Sequence, residues 1–264
     1  MMSLKRIFNF FRRYLVKHPL YVVTYIFTFF LRDFSFKEHL YSREEIQELL
    51  RERKSIIRFG DGEINLLLDL KNHYQSFSPK AKSMMKEITC LYKKDSDYIL
   101  SIPRFINISN EELKKIGKFN VWLPLKVMFL LMFPKNVGYM DAHNFYYDNY
   151  FETVIAPVIK DKKIIYVTRK ETIEKQKHNS EIPWKDVICV ETPEKDALLA
   201  YDEIKSKLDK VLDGLSKDEV VLLVAMGPVG KYLVFEYGEF GVQGIDVGVA
   251  LETMFTGKSL EYLI

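Results

Sequence analysis

The stretch "KSIIRFGDGEINLLLDL", Lys54 to Leu70, changes character in its middle. Its opening, "SIIRF", reads as a strand, and its close, around "INLLLDL", has the apolar pattern of a helix. Between them stand Arg58, Gly60, Asp61, Gly62 and Glu63. Two glycines let the backbone turn sharply and approach a ligand closely. Two carboxylates at i and i+2 in a tight turn can converge on one hard cation, and Mg²⁺ or Mn²⁺ takes one or two protein carboxylates and fills the rest with water and phosphate oxygens. The competing reading is structural: Asp61 caps the helix and Glu63 sits in its first turn, favoured by the macrodipole. Arg58, flanked by Ile57 and Phe59, needs an anion if it is buried, so a phosphate or one of these carboxylates is expected beside it.

Outward from this stretch, strands and helices alternate. "SREEIQELLRER" opens on a capping box, Ser42 with Glu45, and reads as a helix with Ile46, Leu49 and Leu50 on one face. "KAKSMMKEITCLYKK" is a helix leading to the strand "YILSIP". "SNEELKKIG" is a capped helix ended by Gly117, and "VWLPLKVMFLLMF" is a buried helix expected to start near Pro124. "KIIYVT" and "DVICVE" are strands. "EKDALLAYDEIKSKLDKVLDGL" is one long helix, and "EVVLLVAM" is a strand apolar enough to be covered on both faces. "GPVGKYLVFEYGEF" is a turn and helix, and "VQGIDVG" a short last strand. The pattern predicts an α/β fold, Rossmann-like, with a mostly parallel sheet flanked by helices. Ligands of such sheets bind at the carboxyl ends of the strands, near a switch in strand order.

Several polar groups fall at those ends. "MGPVGK", Met226 to Lys231, has the look of a phosphate-cradling strand, turn and helix, but is neither a Walker A loop nor a GxGxxG fingerprint. "GIDVG", Gly244 to Gly248, places Asp246 after a late strand, where it can bind a sugar hydroxyl, a ribose or a metal, or cap a helix. Arg104 and Arg169 follow two other strands, as cations for a ligand or as solvated surface residues. His143, beside Asp141, reads more readily as a solvated loop histidine than as a cleft residue.

The 264 residues suit one large domain or a domain with an appendage. A composition 48% apolar and 28% charged is that of a core-forming globular protein. A net charge of +3 gives no reason to expect nucleic acid. Cys90 and Cys189 show no metal or redox spacing and read as two buried free thiols in a reducing compartment. Charge is uneven, however. Lys5, Arg6, Arg12, Arg13 and Lys17 precede the first acid, Asp33, interleaved with Phe8, Phe10, Phe11 and Tyr14. "PLYVVTYIFTFFL" follows, shorter than the roughly 20 residues of a spanning helix. Residues 1–40 thus read as a basic, amphipathic helical segment lying on an anionic membrane surface, or else packed on the domain or in a homodimer interface; residues 41–264 form the main domain.

The pattern resembles the GT-D-type glycosyltransferases, bacterial enzymes of surface-glycan assembly. "SIIRFGDGE", "PEKDALLAYDEI" and "GPVGKYLVFEYGEFGVQGIDVG" carry the resemblance, which spans roughly Tyr41 to Phe255. It implies that Asp61 and Glu63, the family's Asp-X-Glu, hold Mn²⁺ or Mg²⁺. It further implies that Arg58 orients them or contacts phosphate, and that Gly60, Gly62, Gly227, Pro228, Asp246, Gly248 and Arg169 line the nucleotide-sugar site. The implied activity is metal-dependent transfer of a sugar, from a UDP-sugar, to a glycan or lipid-linked acceptor in cell-surface polysaccharide or glycoprotein assembly. The implied place is cytoplasmic, peripheral at the inner face of the membrane. After Asp246-Val247-Gly248 the sequence departs from the family: a histidine and an acid are replaced by Val249 and Leu251, and Glu252 is the nearest acid. Two other readings use the same features. One is a metal-dependent phosphohydrolase or phosphotransferase, which usually recruits further Asp or His ligands. The other is a non-catalytic member of a membrane-associated assembly.

Overall fold

The computed structural model describes residues 38–67, 69, 75–76, 78–146, 149–177, 187–248 and 250–251. Residues 1–37 of the basic and apolar N-terminal segment, Val249 and Glu252 lie outside them. The eight strands are β1 (His39–Leu40), β2 (Ser55–Arg58), β3 (Tyr98–Ile102), β4 (Gly138–Asp141), β5 (Lys163–Arg169), β6 (Val187–Thr192), β7 (Val220–Ala225) and β8 (Gln243–Asp246). They form one sheet in the order β1-β4-β3-β2-β8-β7-β5-β6. Every recorded pairing is parallel, so the expected mostly parallel sheet is parallel throughout its described strands.

Period two along the strands sorts the core into two layers. Ile57, Leu100, Ile165, Leu222 and Val224 face one side. There they meet α3 (Pro79–Leu91), α5 (Phe119–Met132), α8 (Tyr201–Leu212) and α9 (Gly227–Glu239), through Ile88, Phe129, Ile204 and Leu233. Ile56, Ile99, Ile164, Leu223 and Ile245 face the other. They are covered by α1 (Arg43–Arg51) through Ile46 and Leu50, and by the π-helical turn Phe151–Ile155 that runs into α6 (Ala156–Ile159). The short helices α2 (Asp61–Leu67), α4 (Asn110–Lys115) and α7 (Lys170–Lys177) complete the elements used below.

The predicted capping box at Ser42 forms, and the capped helix expected at Ser109 also starts on one. Ser42 Oγ accepts from Glu45 N–H while Glu45 Oε2 accepts from Ser42 N–H; Ser109 and Glu112 do the same at α4. Gly117 stands just past α4 with φ +71°, the left-handed conformation that ends helices. Four expectations are corrected. First, α5 begins at Phe119, five residues before Pro124, because Trp122 N–H already donates to Lys118 O and a proline without an N–H breaks only one later bond. Second, the long helix expected from Glu194 begins at Tyr201. Asp196 is left-handed, φ +51°, and its carboxylate accepts from Ser76 N–H at 2.6 Å, so the chain makes only a 3₁₀ turn, Ala197–Ala200, before α8. Third, β4 was not expected; the tip of the Tyr41 ring packs on its Gly138, where a Cβ would lie 2.1 Å from the ring. Fourth, Cys90 is exposed and Cys189 half-buried, so neither thiol is a core residue.

The centre of the sheet is a seam. Strands β2, β3 and β4 run outward to one side, and the later strands fill the other, so the two halves of the chain meet where β2 pairs with β8. That pairing has one registered residue pair, Ile56 with Ile245. Side chains complete it: Ser55 Oγ accepts from Gly244 N–H, and Gln243 Nε2 donates to Leu50 O and Lys54 O. Helix α9 lies across the seam, packed on β8, β2 and α3. Its approach depends on Gly244, where a Cβ would come within 2.9 Å of the buried Val234. Gly244→Ala is expected to cost about 1–3 kcal/mol by overpacking, read from urea unfolding; an unchanged midpoint would show that α9 has slack over β8.

Candidate functional site

Strand β2 ends on Arg58, β4 on Asp141, β5 on Arg169 and β8 on Asp246, all at the carboxyl edge of a parallel sheet. At the seam the structure gathers four buried charges from four elements. Asp246 follows Gly244 by two, so it faces α9, and it is 1% exposed. Its Oδ2 lies 3.0 Å from Lys231 Nζ and accepts from Arg58 N–H at 3.3 Å; Arg58 Nε is 3.9 Å away. Its Oδ1 accepts from Gly248 N–H at 3.2 Å. Lys231, on the first turns of α9 and 6% exposed, also reaches Glu63 Oε1 at 3.2 Å. The other carboxylate oxygen of Glu63 accepts from Gly60 N–H at 2.7 Å.

Lys231 is thus a buried ammonium between two carboxylates. Burial alone pushes its pKa down; Asp246 first and Glu63 second more than offset this, and the net direction is upward, so the amine is charged. Arg58 turns to the other face of the sheet, where its guanidinium lies over the Phe145 ring with Cζ 5.0 Å from the centroid. Gly248, φ +51°, allows the closest approach in the site: a Cβ there would fall 1.8 Å from Arg58 Nη2. Two of the glycines singled out in the sequence therefore work as backbone: Gly60 donates its N–H to Glu63, and Gly248 leaves room for Arg58.

Asp61, the first residue of α2, is exposed beside this cluster. Of the anions expected beside Arg58, a phosphate or one of the two neighbouring carboxylates, the carboxylate alternative is corrected: the described carboxylate at its side is Asp246, 188 positions later. Gly62 follows Asp61 in α2, and Gly227 with Pro228 opens α9, one turn before Lys231, with Gly227 at φ +66°. Arg169 lies two strands from β8, across β7, and its Nε donates to Thr172 Oγ1 at 3.3 Å, so it belongs to a different part of the edge.

His143 is not a solvated loop residue. It is 8% exposed, in the 3₁₀ turn after β4, with its ring edge-on to Phe105 and Trp122. Asp141 Oδ1 accepts from His143 N–H at 2.9 Å and lies 3.3 Å from Nδ1, which also stands 3.2 Å from Arg104 N. One nitrogen cannot accept from Arg104 and donate to Asp141 together. Accepting the Arg104 N–H places the ring proton on Nε2. The same turn carries Phe145 to Arg58 and so ties the His143 corner to the seam.

The carboxylate pair can hold a divalent cation only in part as it stands. Asp61 is presented to solvent, while both oxygens of Glu63 already have partners. Since Mg²⁺ and Mn²⁺ bind through as few as one protein carboxylate plus phosphate and water, the donor set fits such an ion, with Glu63 as a second ligand once released from Lys231. Among the described residues no three His, Cys, Asp or Glu side chains converge on one point. A groove of about 270 Å³ exists at the opposite edge of the sheet, lined by Asp97, Tyr98, Phe235 and Glu239 among others. It holds none of the cations clustered at the seam.

No protein-family model matches the sequence, and no curated protein matches it. Three solved structures do. The chain superposes on a glycosyltransferase of the DUF1792 group from Streptococcus sanguinis with a TM-score of 0.69 and 18% identity, over 84% of this chain and 87% of that one. It superposes equally on two structures of domain of unknown function 1792, one presented as a distinct glycosyltransferase fold, with TM-scores of 0.68 and 21% identity over 84% of this chain and 83% of each. The fold is therefore the α/β glycosyltransferase fold of that group.

Asp246 is expected to hold the cluster together. Asp246→Ala would leave Lys231 buried with one partner and Arg58 N–H with none from that side chain, at a cost of about 3–5 kcal/mol. Chemical denaturation checks this, and a loss under 1 kcal/mol would mean that water or Glu63 readily replaces it.

Proposed function

We propose that the protein is a glycosyltransferase that takes a sugar from a nucleotide-sugar, a UDP-sugar, with Mn²⁺ or Mg²⁺ held by Asp61 and Glu63. The observation that carries the reading is the cluster at the seam: Arg58 and Lys231, two buried cations with two carboxylates, under an exposed Asp61 at the carboxyl edge of a glycosyltransferase fold. In glycosyl transfer the diphosphate departs as the sugar carbon becomes oxocarbenium-like. Charge develops on the leaving group, and cations already held at the site stabilise it. A bound divalent ion would add Lewis-acid neutralisation of the diphosphate. Lys231 and Arg58 supply the positive field, Asp246 fixes both, and the backbone at Gly227 and Pro228 opens α9 toward the nucleotide.

The acceptor side is proposed to be a glycan or lipid-linked saccharide of the cell surface. The basic, aromatic N-terminal segment suits an enzyme working at the inner face of a membrane. Among the described residues no helix is long and apolar enough to cross one.

Two outcomes test this. Asp61→Asn should leave stability within about 0.5 kcal/mol, because the site is exposed. It should also weaken Mn²⁺-dependent UDP binding, measured by calorimetry, by at least about tenfold, the equivalent of one lost charged contact of roughly 1.4 kcal/mol. Wild-type Mn²⁺-dependent binding in the variant would remove Asp61 from the metal site. Separately, deleting residues 1–37 should abolish sedimentation with anionic vesicles at low salt while UDP binding persists; vesicle binding by the truncated chain would place the membrane contact elsewhere.

A further inference from the structure

Glu63 has no carboxylate oxygen to spare: Oε2 accepts from Gly60 N–H and Oε1 faces Lys231 Nζ at 3.2 Å. Yet Lys231 has a second, shorter partner, Asp246 Oδ2 at 3.0 Å, whose other oxygen is held by Gly248 N–H. Both carboxylates are also held by a backbone N–H, and what distinguishes them is where they stand. Asp246 sits in the sheet at 1% exposure, whereas Glu63 stands in the first turn of α2, two residues from exposed Asp61.

Charge counting limits how ligands can enter. Arg58 and Lys231 carry two positive charges, Glu63 and Asp246 two negative, so the buried cluster is neutral as it stands. A divalent cation alone adds two positive charges, and a nucleotide-sugar diphosphate alone adds two negative. Either leaves charge uncompensated in a desolvated place. Together the two ligands cancel, so the loaded site carries the same net charge as the unloaded one, provided that each negative oxygen has a cation beside it.

We propose that Lys231 is the positioning residue that couples metal to donor, by exchanging its partner. In the arrangement seen, Glu63 pairs with Lys231. In the loaded site Glu63 joins Asp61 on the divalent cation, and the Lys231 ammonium, still held by Asp246, turns its freed N–H to a diphosphate oxygen. No bond to carbon and no proton changes hands: one ion pair, Glu63 with Lys231, is replaced by two, Glu63 with the metal and Lys231 with phosphate. Lys231 is thus a competitor of the metal when the nucleotide is absent and its ally when the nucleotide is present. The consequence is reciprocal: Mn²⁺ must raise UDP affinity and UDP must raise Mn²⁺ affinity by one and the same factor. This proposal rests on the reading of the site as a metal-dependent nucleotide-sugar site.

The full-length chain is titrated with Mn²⁺ alone, UDP alone, and UDP in saturating Mn²⁺, as wild type, Lys231→Gln and Lys231→Arg. Wild type should show coupling of about 5–150-fold, the ordinary range between linked sites. Lys231→Gln should bind Mn²⁺ alone several-fold more tightly, because Glu63 is released, and lose most of the coupling. Lys231→Arg should recover part of it. A folded Lys231→Gln with wild-type Mn²⁺ affinity and wild-type coupling would overturn the exchange and leave the metal-dependent reading intact. Wild type that binds no UDP at any Mn²⁺ concentration would instead overturn that reading itself. A measurement on the unaltered chain covers the case in which Lys231→Gln does not fold. With ¹⁵N-lysine protein, Mg²⁺ and UDP, the Lys231 ammonium resonance, identified by its loss in Lys231→Arg, should correlate with a UDP phosphorus through the hydrogen bond. A visible ammonium resonance without that correlation would contradict the proposal.

Discussion

The ammonium of Lys231, buried between Asp246 and Glu63, is the interaction on which the site depends. Removing two carboxylates and two cations from water costs several kcal/mol per ion, and their attraction offsets this only when geometry and hydrogen bonding are good. Here the supporting shell is backbone: Gly60, Arg58 and Gly248 donate their N–H groups to the carboxylates. Breaking one member leaves the others uncompensated, so the cluster constrains its neighbours. It sets the end of β8 against β2, where the ladder has a single registered pair. It also fixes the first turn of α2 and holds α9 over the seam. Stability and site chemistry are consequently difficult to separate at Asp246 and Lys231, and simpler to separate at exposed Asp61.

The sheet was legible in the sequence wherever a strand was long or apolar. "EVVLLVAM" and "KIIYVT" lie at positions covered on both faces, and their continuous apolar runs could be nothing else. The capping boxes at Ser42 and Ser109 were legible because a cap is a local contact over three residues. What was not legible was decided by distant contacts. β4 is four residues long and is held by parallel pairing with β1 and β3. The start of α8 is set by Asp196 binding the backbone of Ser76, 120 residues away, which no local propensity encodes.

The site divides in the same way. Arg58, Asp61 and Glu63 announced themselves as polarity at the end of a buried strand, and Asp246 as an acid between glycines after another. The residue that joins them, Lys231, stood in the quoted "MGPVGK" without being singled out. Its role arises from a contact across 168 residues with Glu63, and a lysine on the first turns of a helix has no local signature of burial. The available signal was a lysine inside an otherwise apolar helix, "GPVGKYLVF", which has to meet an acid if that face is covered. The same rule had been applied to Arg58, where the need for an anion was right and the partner, Asp246 rather than the neighbouring carboxylates, came from the strand order. His143 was misjudged for the complementary reason: its turn is polar in sequence, but Phe105 and Trp122 close over the ring.

The central claim is that the seam between β2 and β8, and no other part of the sheet, holds a metal and a nucleoside diphosphate. Crystals grown with Mn²⁺ and UDP, measured at the manganese absorption edge, test it most directly. One anomalous peak bonded to Asp61 is expected at the carboxyl end of β2, with the diphosphate lying between it and the seam. Manganese or UDP bound instead at the opposite edge, in the groove beside Asp97 and Phe235, would contradict it.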